Sequence, residues 1–293
     1  MFRPQNFTDI IGQTNALQRL QISTKAALAR DGPLPHCIIN GPPGVGKTSI
    51  IYALKEELKT DLQIANGGNL RTIKNVVPYI ARITHRSLLF IDEIHRCTPL
   101  VEEFLYPVLE DFRCDVGGES EISFDVPPFT MLGATTDYGQ LSKPLRDRFP
   151  IQLTLELYNV DELTQIIQNG ARKLSLSLTD GAARLISKTS RGTPRTALAR
   201  LQWLRDFSSA KGLSSITEDV VRKALIMEEV EENGLTKLDK QYLQILREAK
   251  GPLGIQNLVA ITGINRETIE NVIEPFLLRL GFIQKTPKGR IVL

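Results

Sequence analysis

The sequence predicts an α/β protein. A parallel sheet flanked by helices comes first, then a helical part, then a helix-turn-helix closed by a β-hairpin. Three observations carry this. Short apolar runs alternate with helical stretches up to about residue 158, the pattern of βαβ units. Beyond that point strands disappear and helical periodicity takes over. The chain then ends in a Phe282-to-Lys285 run and an Arg290-to-Leu293 run around Thr286-Pro287-Lys288-Gly289, where Pro second and Gly fourth suit a tight turn.

In order along the chain, strands are expected at 36–40, 62–65, 87–91, 129–135 and 151–155, with helices at 13–30, 46–58, 71–83 and 99–111. Four further helices are expected at 160–174, 179–189, 194–210 and 217–228. The change near 158 and an acidic stretch ended by glycine, Glu229 to Gly234, divide the chain into 1–158, 159–230 and 231–293. In the last part Leu235 to Ala249 is amphipathic and Ile255 to Ile261 is a short helix. After a turn at 262–265, Ile269, Ile273, Phe276, Leu277 and Leu280 form one stripe of a helix over 266–280, with a kink expected at Pro275. This is a winged helix, with Arg266 at the start of its recognition helix. Such folds also serve protein contacts alone.

The chemistry starts at Gly41-Pro42-Pro43-Gly44-Val45-Gly46-Lys47-Thr48, which fits GxxxxGK[ST] at each fixed position, between an apolar run and a helical stretch. Glycines there turn backbone N–H groups onto phosphate oxygens, the lysine reaches the β- and γ-phosphates, and the threonine hydroxyl can ligate Mg²⁺. Leu88 to Ile91 is a buried-strand run ending in Asp92 and Glu93. At the carboxyl end of a parallel strand, Asp92 can hold the metal's shell and Glu93 can polarise an attacking water, a role close to general base. Thr136, at the tip of the next predicted strand, is the candidate to orient that water. Beyond it, Pro144-Leu145-Arg146-Asp147-Arg148-Phe149 puts two arginines on a loop. They could supply transition-state charge in their own chain or to a neighbour, although loop arginines are more often simply solvated. Thr193 and Pro194 fit the N-cap and first residue of a helix, which pins Arg195 in its first turn. That helix is expected to bury Ala197, Leu198, Leu201, Leu204 and Phe207. A cation at a positive helix end is misplaced unless an anion or an acid lies beside it, and a nucleotide phosphate is one such anion.

Composition narrows the classes. With 293 residues, 42% hydrophobic and 24% charged, the chain is ordinary for a soluble globular protein of two or three domains. No run approaches a membrane span and the start has no apolar signal region, so a cytoplasmic protein with no membrane contact is expected. Cys37, Cys97 and Cys114 have neither disulfide-framework nor zinc-site spacing. Net charge is +3, but residues 234–293 carry nine basic and five acidic residues while the remainder sums to −1. Lys285, Lys288 and Arg290 crowd the last nine residues, an electrostatic footprint suited to a phosphate backbone.

Taken together these residues resemble the RuvB family, the AAA+ motor of Holliday-junction branch migration. The resemblance runs nearly end to end. It is carried by Arg3-Pro4, Ile11-Gly12-Gln13, the phosphate loop, Leu89 to Arg96, Leu105-Tyr106-Pro107 and Glu110-Asp111-Phe112. It continues through Gly133 to Thr136, Pro144 to Phe149, Arg191 to Arg195, Arg205-Asp206-Phe207 and Thr286 to Arg290.

The resemblance implies an AAA+ ATPase domain, a small helical lid and a winged-helix head that bind ATP or ADP with Mg²⁺. It implies a homo-hexamer on duplex DNA and four-way junctions, working in recombination, repair and the SOS response with a RuvA-type junction-binding protein and a RuvC-type resolvase. Gly44, Gly46, Lys47, Thr48 and Ser49 correspond to the family's phosphate-binding set, and Thr48 and Asp92 to its metal site. Arg148 corresponds to the arginine finger that reaches a neighbour's nucleotide, Thr136 to the first sensor and Arg195 to the second. Phe2, Arg3 and Tyr158 correspond to the adenine pocket, and Glu110, Asp111 and Phe112 to a segment at the nucleotide-bearing subunit boundary. Arg266, Lys285 and Arg290 match DNA-contacting positions, with lysine in place of the usual arginine at 285. His95 is expected to pack.

The chain departs from the family in two places. Asp115 to Glu121 is shorter and more acidic than the family's hairpin, which docks RuvA, and this puts RuvA docking in question. Asn69 to Asn75 also lacks a family Lys-Pro-Gly-Asp run. A divergent, shortened member with a different loader is one expectation. A clamp-loader subunit and a nucleotide-gated DNA-binding regulator are the rivals. The C-terminal winged helix opposes the first, and the presence of both Glu93 and Arg148 opposes the second.

Overall fold

The computed structural model describes Phe2 and residues 4–116 and 122–293, which form two compact units. The first runs to Glu162 and takes in Thr193–Arg195; the second holds Leu163–Gly192 and Thr196–Leu293.

The first unit is built on β1 (Cys37–Asn40), β2 (Leu62–Asn66), β3 (Leu88–Asp92), β6 (Thr130–Thr135) and β7 (Ile151–Thr154), ordered β2-β3-β6-β1-β7 and all parallel. β6 is buried at every residue and β3 at all but its last. Both are apolar runs without alternation, as strands covered on two faces must be. The register pairs Asn40 with Thr135 and Asn66 with Asp92, so the strands' carboxyl ends meet along one edge, the edge where open α/β sheets place ligands. The helices are α1 (Thr14–Ala29), α2 (Lys47–Leu58), α3 (Ile73–Ile80), α4 (Pro99–Glu110) and the short α5 (Lys143–Asp147). Val76 and Ile80 of α3 and Val101, Leu105 and Val108 of α4 pack against Leu89, Ile91 and Met131 of the sheet in one apolar core.

β4 (Arg113–Val116) and β5 (Ile122–Asp125) form a separate antiparallel hairpin. Most of the acidic segment singled out above, residues 117–121, lies outside the described residues.

His36 stitches this unit together. Its Nδ1 accepts the Met131 N–H at 2.9 Å, so Nε2–H donates to the Leu109 carbonyl at 3.0 Å. That bond fastens the end of α4 to the sheet, with Phe112, Phe129 and Phe149 around the ring. Burial lowers the pKa of His36 and keeps it neutral. Cys37, Cys97 and Cys114 are buried free thiols, pushed up by burial to about 12, 12 and 11.

The second unit holds most of α6 (Val160–Lys173), then α7 (Asp180–Thr189), most of α8 (Pro194–Ala210) and α9 (Glu218–Met227), followed by α10 (Lys237–Glu248) and α11 (Ile255–Thr262). α8 buries Ala197, Leu201, Leu204 and Phe207 as expected, whereas Leu198 is only half-buried. Gly263, at φ 69°, ends α11 in the left-handed conformation that glycine adopts without strain.

The helix expected over 266–280 is not one uniform kinked helix. Asn265 caps α12 (Arg266–Thr268), a π turn follows at Ile269–Ile273, and α13 (Glu274–Arg279) restarts with Pro275 in its first turn. Proline has no N–H to give and its ring crowds the carbonyl four residues back; the wider turn accommodates both. Ile269, Ile273, Phe276 and Leu277 are buried, while Leu280 stays exposed. β8 (Ile283–Thr286) and β9 (Gly289–Val292) form the terminal hairpin, and the Thr286 hydroxyl donates to the Gly289 carbonyl across its turn.

Candidate functional site

The phosphate loop leaves β1 and enters α2. Gly44 and Gly46 have φ of 81° and 103°, values that L side chains rarely adopt. A Cβ on Gly44 would lie 3.0 Å from the Cβ of Arg195, so the loop closes on the first turn of α8. The Arg195 N–H donates to the Gly44 carbonyl at 3.3 Å. Lys47 is buried, and its ammonium donates to the carbonyls of Gly41 and Pro42 at 2.7 and 3.1 Å. Burial lowers its pKa, opposed by Glu93 and Asp92. A buried cation held by neutral carbonyls is a ready receptor for phosphate. Thr48 and Ser49 follow on the first turn, half-buried.

Two acids sit at the tip of β3. Burial, with Glu93 beside it, raises the pKa of Asp92, opposed by the Glu93 N–H that its Oδ1 accepts at 3.1 Å and by Lys47 and Arg195. Glu93 adopts φ 49° and ψ 49°, a left-handed turn that lifts its side chain off the strand direction. Its Oε2 accepts the Thr136 hydroxyl at 3.0 Å and lies 3.3 Å from His95 Nδ1. Gly67 makes room for the turn, because a Cβ there would overlap the Glu93 carbonyl. Thr48 and Asp92 offer oxygen donors only. No group of three or more His, Cys, Asp or Glu able to hold a metal occurs among the described residues. A hard cation here would therefore draw its remaining ligands from phosphate and water, the usual arrangement for Mg²⁺.

Tyr158 is buried beside the loop: a Cβ on Gly46 would lie 3.8 Å from its hydroxyl. Burial first, opposed by a hydrogen bond with Gln13, raises the phenol to about 12. The amide of Gln13 also bonds the Glu156 backbone in both directions, at 2.8 and 3.1 Å, fixing the N-terminal segment against this edge. Phe2 is half-buried; Arg3 lies outside the described residues.

Arg148, at the end of α5, belongs to another group of contacts. Its guanidinium bonds the Glu110 carboxylate and the Pro144 carbonyl, each at 2.8 Å, and lies 4.2 Å from the ring centre of Tyr106. Glu110, Asp111 and Phe112 therefore gather with Arg148 around the end of α4. Asp111 is exposed as the C-cap, and Phe112 is turned inward beside His36. A cavity of 350 Å³ opens here, lined in part by His36, Leu109, Glu110, Phe112 and Arg148.

In the winged helix the three expected DNA contacts separate. Arg266 is well exposed and pairs with Glu270 on its own helical face, at 2.8 Å. Lys285 is partly exposed and reaches the buried Glu274 at 2.6 Å. Arg290 is turned inward, its Nε 2.7 Å from Glu274, while the Tyr242 hydroxyl donates to the same carboxylate at 2.8 Å. The charge of Arg290 is matched inside the domain, because a buried Glu274 requires a partner.

Sequence reasoning missed His36, Gly67, Tyr106 and Thr135, and it gave His95 to packing. Only the position of His95, two residues after Glu93, could have signalled a role.

A P-loop opening α2, paired acids at a strand tip, a hydroxyl just past the neighbouring strand and Arg195 against the loop define an AAA+ ATPase. The comparisons extend this. Residues 2–155 match the Holliday junction DNA helicase RuvB P-loop domain, 158–231 the RuvB AAA lid domain and 232–292 the RuvB C-terminal winged helix domain. The chain is 40% identical to the Holliday junction branch migration complex subunit RuvB of Myxococcus xanthus, over 99% of this chain and 86% of that one. The Thermotoga maritima RuvB Holliday junction branch migration motor superposes with a TM-score of 0.90 at 37% identity, covering 100% of this chain and 95% of that one. An Ala-to-Ser variant of the same protein gives 0.92 at the same identity and coverage. The chain belongs to the RuvB family.

Proposed function

We propose that this chain is the ATP-driven motor subunit that moves four-way DNA junctions, working as a hexameric ring on duplex DNA in the cytoplasm. The observation that carries the reading is a division of labour. Lys47, Asp92, Glu93 and Thr136 face one strand edge, while Arg148 stands with Glu110 and Tyr106 around the end of α4. A complete hydrolytic site then needs Arg148 from a second copy.

In this reading Lys47 and the loop N–H groups hold the triphosphate, and Thr48 and Asp92 hold Mg²⁺. Held there, a divalent ion would supply positive charge against the phosphates. Glu93 takes the proton of the attacking water, with Thr136 fixing one of its oxygens. A neighbour's Arg148 stabilises the charge of the transition state. Phe2, Arg3 and Tyr158 enclose the adenine. Arg195 reports the nucleotide to the lid, and the three-part division at 158 and 230 describes how the motor works. Arg266 and Lys285 meet the DNA backbone, with Arg290 supporting the hairpin that carries Lys285.

The partners follow: a RuvA-type protein that presents the junction and a RuvC-type resolvase. The hairpin of β4 and β5 is where a shortened docking element would alter the first of these. The test is a synthetic four-way junction with ATP and Mg²⁺, run with and without a RuvA. ATP-dependent branch migration supports the reading. ATP turnover stimulated by duplex DNA without junction movement would return the chain to the clamp-loader class.

A further inference from the structure

We infer that His95 is the positioning residue for Glu93, and that it links this carboxylate through Thr135 to the segment leading to Arg148. The inference rests on the reading of Glu93 as the group that activates water. His95 lies in the tight turn after β3 (Ile94–Arg96), with its ring largely buried. Nδ1 is 3.3 Å from Glu93 Oε2 and 2.9 Å from Thr135 Oγ1, so it stands between the acid and the end of β6. Thr135 Oγ1 also accepts the Asp137 N–H at 2.9 Å. Asp137 begins the segment that runs through Tyr138–Gln140 and α5 to Arg148.

One ring nitrogen facing two oxygens has a defined consequence. With its proton on Nδ1, His95 can donate to Glu93 or to Thr135, but it makes one well-aligned bond at a time. Bonded to Glu93, it joins the Thr136 hydroxyl on Oε2, so that Oε2 is occupied twice and Oε1 is left for the water. Bonded to Thr135, it leaves Glu93 to Thr136 alone. The exchange asks only for a small turn of the ring, because the N–H direction is fixed in the ring plane. The choice is sensed at the hydroxyl that also holds the root of the Arg148 segment. Packing alone would not require a ring nitrogen at this place, since an apolar ring fills the same volume.

The test compares His95→Ala, His95→Asn and His95→Gln in steady-state ATP turnover, with nucleotide affinity measured separately by a fluorescent ADP. Asparagine puts an N–H donor close to the position of Nδ1; glutamine carries its donor one methylene further. The expected result for His95→Ala is a fall in kcat of about ten- to a hundredfold, with KM and ADP affinity within about twofold. His95→Asn should recover most of the loss and His95→Gln little of it. In a Glu93→Gln background, His95→Ala should cause no further loss, because a residue acting through Glu93 has nothing left to act on. Three results would overturn the proposal: a wild-type kcat in His95→Ala, no difference between the Asn and Ala variants, or losses that multiply in the double variant. A protein that binds ADP poorly as His95→Ala but normally as His95→Asn is judged on the double variant built with His95→Gln. Wild-type turnover in Glu93→Gln alone is a different failure, one that removes the reading of Glu93 itself.

Discussion

Lys47 and Arg290 are both inward-turned cations, one in each unit, and they are satisfied in opposite ways. Lys47 rests on two backbone carbonyls while two acids lie near enough to favour its charge. Arg290 is embraced by the Glu274 carboxylate, which Lys285 and Tyr242 also bind. A buried charge hydrogen-bonded to neutral carbonyls, with acids near but not paired to it, is costly to the empty protein and marks a place for an anion. A buried charge given a carboxylate is finished, and marks structure. The difference separates ligand sites from scaffold without reference to motif.

Five experiments bear on that contrast. Removing the proposed finger tests the site that Lys47 serves: Arg148→Ala should retain ATP binding and lose on the order of 10³-fold or more in DNA-stimulated hydrolysis. Unchanged turnover in an assembled ring would show that Arg148 is no finger. Lys47→Met should lose on the order of 10³-fold in turnover, yet leave the empty protein as stable as wild type or more so in urea. A large drop in stability would break the contrast.

Arg290→Met should do the reverse. It leaves Glu274 short of its main partner and costs about 3 kcal/mol of stability in the second unit, while ATP turnover in the absence of DNA is retained. The same network predicts a pH dependence. Burial alone would raise the pKa of Glu274, but Arg290, Lys285 and Tyr242 together hold it below the usual glutamate value. A depressed folded pKa contributes stability that is present above the unfolded value, about 4.3 for glutamate, and that is lost as pH falls through the folded value. Acid unfolding followed by circular dichroism should therefore shift to higher pH in Glu274→Gln, at lower overall stability. The smallest effect belongs to Arg266→Ala, whose exposed pair with Glu270 is screened by solvent and contributes little to stability. Stability should hold, and the salt slope of duplex binding should fall by about 1.

Much of this architecture was legible in the residues because parallel strands buried on both faces are written as unbroken apolar runs. β3 and β6 are such runs, and each of the five sheet strands lies where the alternation put it. Lys47, Asp92 and Glu93 were legible because the phosphate loop and the strand-end acids have fixed spacing. What stayed hidden depended on contacts between distant segments. His36 joins Leu109 to Met131, and no local pattern announces that. Gly67 is required by a carbonyl twenty-six residues further on. Pro275 signalled a disturbance in its helix, but whether it would bend or widen depended on the packing of Ile269 and Ile273 against the rest of the domain.

The interior sulfur atoms have a practical consequence. Cys37, Cys97 and Cys114 are enclosed, and their protons are released only near pH 11 to 12. Maleimide and iodoacetamide dyes attack the thiolate, so at neutral pH they should pass these positions by. One cysteine introduced at an exposed site such as Lys288 would then carry the only label. Fluorescence from the hairpin tip could follow a turning subunit in real time, with the native sulfur left in place.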